Sequence, residues 1–72
     1  MAKKFYLRLE IHYFKREQKY VCKVFKDGKC VEARRFNEFS GALLEAGEVV
    51  RENIGNIKGN KVTTKIFCDY DI

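Results

Sequence analysis

Apolar and polar residues alternate through positions 4–14, Lys-Phe-Tyr-Leu-Arg-Leu-Glu-Ile-His-Tyr-Phe, so that Phe5, Leu7, Leu9, Ile11 and Tyr13 fall on one side. A period of two is the signature of a half-buried strand. A second alternating stretch follows the polar connection Lys15-Arg16-Glu17-Gln18 and ends at Asp27-Gly28. Asp-Gly is a preferred two-residue type I′ hairpin turn, because both central residues take φ > 0 and the turn's twist suits the flanking strands. Counting outward from that turn pairs Lys26 with Lys29, Phe25 with Cys30, Val24 with Val31, Lys23 with Glu32 and Cys22 with Ala33. If the polar connection closes a second hairpin, Phe14 faces Lys19, Tyr13 faces Tyr20, Ile11 faces Cys22 and Leu9 faces Val24. Both hairpins then give the same inward side, with Leu9, Val24 and Val31 in one row and Ile11, Cys22 and Ala33 in the next. A three-stranded meander is expected.

The period changes after Phe36. Asn37 is placed to cap a helix, Glu38 stands in the first turn where the helix dipole favours a carboxylate, and apolar residues recur at Phe39, Leu43, Ala46, Val50 and Ile54. Gly55 suits the left-handed position that ends many helices. Gly41 and Gly47 each cost about 1 kcal/mol relative to Ala inside a helix, which points to close approach to the sheet at its small residues Ala33 and Cys22. Asn56-Ile57-Lys58-Gly59-Asn60 reads as a turn, and a last strand is predicted over 61–70 with Val62, Thr64, Ile66, Cys68 and Tyr70 inward.

The expected order is therefore β-β-β-α-β in a single α+β domain spanning residues 1–72. Strands one and three run the same way and the helix runs back. A right-handed crossover then returns the fourth strand parallel to the first and beside it, for a sheet order of 3-2-1-4; a place beside strand three is the less favoured alternative. One helix on one face of a four-stranded, mostly antiparallel sheet, in this element order, resembles the partial RNase-H-like fold of HicB-type antitoxins. The likeness is one of architecture, with no shared sequence motif.

Composition narrows the class. A chain of 72 residues buries only about 60% of its unfolded surface, so the core is thin. At 46% apolar and 35% charged residues it reads as globular. No apolar run approaches the roughly 20 residues of a membrane span, and Met-Ala-Lys-Lys-Phe-Tyr-Leu-Arg meets charge too early for a signal peptide. The cytoplasm is the expected location, with no membrane contact. Cys22, Cys30 and Cys68 contain no C-x-x-C, and the hairpin register sends Cys22 and Cys30 to opposite faces, so three reduced thiols are expected. His12 is the only histidine and has no ligand cluster around it, so neither a metal nor a cofactor is expected. The net charge of +5 is uneven: residues 1–35 carry eleven Lys/Arg against four acids, and residues 36–72 carry four against six. A basic sheet beside an acidic helix would orient the protein toward a polyanion.

The face left open by a single helix carries the candidate chemistry. Alternation assigns to it Tyr6, Arg8, Glu10, His12 and Phe14; Lys19, Val21, Lys23 and Phe25; Cys30, Glu32 and Arg34; and Lys61, Thr63, Lys65, Phe67 and Asp69. Rings on such a surface stack bases while cations hold phosphates. Tyr6, Arg8, Lys23, Phe25, Arg34, Lys65 and Phe67 are the expected nucleic-acid-binding residues, with Lys58 on a turn outside the surface. The same residues have a purely structural reading, in which Glu10, Lys23 and Glu32 form a cross-strand charge ladder and Arg8 makes a cation–π pair with Phe25. No RNA-recognition signature is present.

The expected function is a small non-enzymatic nucleic-acid-binding module. The alternative is a protein-interaction module, antitoxin-like or a small inhibitor, that meets an acidic protein surface through the sheet face or an edge strand. A homodimer is expected, because Tyr6, Phe14, Val21, Phe25 and Phe67 would otherwise be displayed to water. Catalysis finds no constellation. Glu10, Glu48 and Asp69 are the acids an RNase-H-like enzyme would need to converge, but Glu48 falls on the solvent side of the helix. No Ser or Cys nucleophile is set beside His12. Gly55-Asn-Ile-Lys-Gly59 follows a helix where a phosphate loop would precede one.

Overall fold

The computed structural model describes residues 3–69. Strands β1 (Phe5–Phe14), β2 (Lys19–Lys26) and β3 (Lys29–Phe36) are followed by helix α1 (Phe39–Asn53), a 3-10 turn (Ile54–Asn56) and strand β4 (Ile57–Asp69). The sheet order is β3-β2-β1-β4, with β2 antiparallel to both neighbours and β4 parallel to β1. This is the expected α+β arrangement, one helix on a mixed sheet. Tyr70, expected to end the last strand on its inward side, lies outside the described residues. Among those described, no helix is long and apolar enough to cross a membrane.

The first hairpin has the register counted from the sequence, from Phe14 opposite Lys19 to Leu7 opposite Lys26. At the Asp27-Gly28 turn φ is 51° and then 83°, as a type I′ turn requires. Asp27 also fastens the start of β1: its amide donates to the Tyr6 carbonyl at 3.0 Å, and its Oδ1 accepts from the Tyr6 amide at 3.0 Å.

The second hairpin departs from the expected count. Phe25 lies opposite Cys30, but Val24 lies opposite Glu32, so Val31 is an extra residue in a bulge. Val31, expected in the core, is 54% exposed. Past the bulge every side chain of β3 changes face. Glu32 and Arg34 turn toward the helix and Ala33 toward the open face, and the expected Glu10–Lys23–Glu32 ladder becomes Glu10, Lys23 and Ala33. The shift sets Phe36 opposite Tyr20, where it packs against the core.

α1 docks through smaller residues than its apolar periodicity suggests. Its buried stripe is Ala42, Ala46 and Val49, with Val50 partly buried, whereas Leu43 and Leu44 face solvent. Small side chains let the backbone approach β2 and β3, which the helix covers before reaching β1. Gly41 belongs to this contact, since a Cβ there would meet Phe36 Cδ1 at 3.1 Å; Gly47 has open space and takes no part in it. The N-cap is Glu38, without a side-chain cap, and Asn37 instead accepts a hydrogen bond from Lys19 Nζ.

The helix end also differs from expectation. Gly55 sits inside the 3-10 turn, and the left-handed conformation falls at Gly59, where φ is 75°. The segment read as a turn is the start of β4: Ile57 pairs with Phe5 and is fully enclosed by the core. Between the Phe5–Ile57 and Leu7–Val62 pairs, β4 advances five residues while β1 advances two, and the surplus bulges outward. Beyond it Val62, Thr64, Ile66 and Cys68 share the helix-side face with Leu7, Leu9, Ile11 and Tyr13, as expected. The helix does not reach them all: Thr64, Ile66 and Cys68 are exposed.

Candidate nucleic-acid interface

Strand pairing arranges the open face in rows. Thr63, Arg8, Phe25 and Cys30 form one; Lys65, Glu10, Lys23 and Ala33 the next; Phe67, His12, Val21 and Arg35 the third. Tyr6 precedes Arg8 by one pleat. Six of the seven expected residues, Tyr6, Arg8, Lys23, Phe25, Lys65 and Phe67, therefore share this face. Arg34 does not. The Val31 bulge carries it to the helix side, where its Nε lies 2.9 Å from Glu32 Oε2 and 3.6 Å from Glu45 Oε2. Arg35 takes the outward place, opposite Val21. The sequence signal for this was Phe36: unbroken alternation would have put this aromatic outward, beside Lys19.

Ion pairs and stacked rings occupy the centre of the face, although the buried Arg8 Nε makes no hydrogen bond. Glu10 meets Arg8 Nε through Oε2 at 3.2 Å and accepts a hydrogen bond on Oε1 from His12 Nε2 at 2.9 Å. The His12 hydrogen bond, backed by the charges of Arg8 and Lys23, holds the Glu10 carboxyl below the ordinary carboxylate range. The His12 ring stacks on Phe67 with centroids 4.7 Å apart. The Arg8 guanidinium carbon stands 4.2 Å above the Phe25 ring. Phe25 is thus roofed by a cation, and the structural cation–π reading holds for it.

The most open chemistry lies at the end of the sheet beside the two bulged or turning segments. Tyr6 is 60% exposed. Together with Arg8, Gly28, Lys58, Gly59, Lys61 and Thr63 it lines a groove of about 360 Å³. Lys58, expected outside the surface, is brought back over it by the β4 bulge, its Nζ 5.0 Å from the Tyr6 ring centroid. Within the described residues, carboxylate pairs involve Arg8, His12, Arg34 and Arg51 and no lysine. The lysines around Tyr6 therefore carry charge that no carboxylate of the described residues neutralises, and Lys58 holds its own over one face of the ring.

On the helix side, burial pushes the Cys22 thiol up to about 11, with Glu45 and Glu32 adding to the effect. Such a thiol stays protonated at neutral pH and is a packing group. Cys22, Cys30 and Cys68 are all free, and only Cys22 is buried. Glu48, on the outer side of the helix, pairs with Arg51 and stays away from Glu10. No protein-family model, curated protein or solved structure matches the chain.

Proposed function

We propose that this chain is a non-enzymatic nucleic-acid-binding module in which an unpaired base stacks on Tyr6 while Lys58, Lys61 and Lys65 hold neighbouring phosphates. The observation that supports it is the Tyr6 groove, an exposed ring bordered by cations that no carboxylate of the described residues neutralises. A stacked base contributes about 1–3 kcal/mol, and each lysine–phosphate contact on a single strand adds about 0.7 to the salt slope of log K. Lys23 and Phe67 extend the track along the open face.

Fluorescence anisotropy with a labelled single-stranded oligonucleotide tests this. Tyr6→Ala is expected to weaken binding about 5- to 150-fold, the equivalent of that stacking energy. Lys58→Glu and Lys61→Glu are expected to weaken binding and flatten its salt dependence, whereas Arg34→Gln, on the other face, changes it little. Absence of binding at low salt to single strands and duplexes alike refutes the proposal. A second reading, a module that binds a polypeptide, draws on the exposed run Ile66-Phe67-Cys68 of the edge strand. In that case Phe67→Ala disrupts the complex more than Lys61→Glu does.

A further inference from the structure

β4 has β1 on one flank, and its other flank is the edge of the sheet. A free edge presents unpaired N–H and C=O groups. Along this edge Ile66, Phe67 and Cys68 are all exposed, so apolar surface shows on both faces of the strand at the same three positions. Ile66 is 56% exposed even though it faces the helix side. A groove of about 270 Å³ opens there, floored by Ile11 and walled by Tyr13, Tyr20 and Phe39, because α1 stops short of β4. The charges on this strand are ordered: Lys58, Lys61 and Lys65 precede the apolar run, and Asp69 follows it.

We propose that a second copy of this chain docks on this edge, its β4 antiparallel to the first about a two-fold axis at Phe67. Opposed residues of an antiparallel pair share a face. This register sets Phe67 opposite Phe67 of the second copy, Ile66 opposite Cys68, and Lys65 opposite Asp69. Apolar positions meet apolar ones, and Lys65 of each copy meets Asp69 of the other. An axis at Lys65 would oppose two lysines, and an axis at Ile66 would set Lys65 against Phe67 and Asp69 against Thr63. Among these three registers, the lysines that discourage indiscriminate pairing on a lone edge favour the axis at Phe67. The pairing is self-complementary and closed. It joins the two sheets with both helices on one side and leaves both Tyr6 grooves open on the other.

Two measurements on the full chain, without nucleic acid, test the assembly independently of the proposed binding function. Light scattering at micromolar concentration is expected to give a mass of two chains. In a Cys30→Ser/Cys68→Ser background, Phe67→Cys sits on the axis and is expected to form a disulfide-linked dimer under mild oxidation at least tenfold faster than Thr63→Cys. A mass of one chain at all concentrations, with the far-UV spectrum intact, overturns the proposal and leaves the edge to a different polypeptide. A two-chain mass with equal cross-linking rates at positions 63 and 67 overturns the β4 pairing. Failure of the oligonucleotide assay with either expected result intact refutes the binding function alone.

Discussion

The two interior glycines of α1 have opposite surroundings, and replacing each by alanine measures how the helix is seated. Any Gly→Ala change inside a helix gains about 0.5–1 kcal/mol, through the restricted unfolded chain and the better helix propensity. At Gly47 a new Cβ meets nothing within 4 Å, so the whole gain should be realised. At Gly41 the Cβ would stand 3.1 Å from Phe36 Cδ1. Phe36 is held between the core and the end of β3, and displacing its ring from a relaxed rotamer costs about 0.5–1.5 kcal/mol. That cost cancels or exceeds the helix gain. For a domain of this size 1 kcal/mol corresponds to about 4–8 °C in Tm. Gly47→Ala should therefore raise the midpoint by about 2–8 °C, and Gly41→Ala should leave it unchanged or lower it. Thermal unfolding followed by circular dichroism, with urea titration to check that the cooperativity is preserved, reads both. Equal stabilisation at the two positions would show that α1 is not seated against Phe36, and destabilisation at Gly47 would show that its outer side is covered.

Two further outcomes follow from the helix-side chemistry. Cys22, enclosed in the core with its thiol pushed up to about 11, should react with an aromatic disulfide reagent only on global unfolding, while exposed Cys30 reacts on mixing; peptide-resolved mass spectrometry separates them, and labelling of Cys22 at the Cys30 rate would show an open core. Burial, then a hydrogen bond shared with Glu32, raises the Glu45 carboxyl above its ordinary 4.5, so the folded state binds that proton more tightly than the unfolded chain, and this contribution to stability grows as pH falls from neutral toward 4.5. Glu45→Gln should accordingly raise the urea midpoint at pH 7 and change it little at pH 4, and an equal effect at both would refute the assignment.

Period and local chemistry are legible along the chain without its fold. The Asp27-Gly28 turn, the alternation of β1 and β2 and the handedness of a crossover were enough for the element order, the β1–β2 register and the 3-2-1-4 sheet. They also gathered Tyr6, Arg8, Lys23, Phe25, Lys65 and Phe67 on one face. The tertiary structure decided where that alternation slips. Alternation carries one binary choice per strand, and a single extra residue reverses every assignment beyond it. In β3 local alternation favours the register with Val31 and Ala33 inward, whereas the one adopted turns Glu32, Arg34 and Phe36 inward. Contacts from other elements accompany the one adopted: Glu45 of α1 meets Arg34, and Phe36 fits beneath Gly41 and opposite Tyr20. The same holds for the side of α1 that is buried, where Ala42 and Ala46 permit an approach to β2 and β3 that the leucines would prevent. It holds again in β4, where the burial of Ile57 forces the surplus residues outward and carries Lys58 onto Tyr6. Each of these is a competition between neighbours distant in sequence. The helix seat that results leaves the Ile66–Cys68 edge uncovered, a feature set by packing distance and invisible to periodicity.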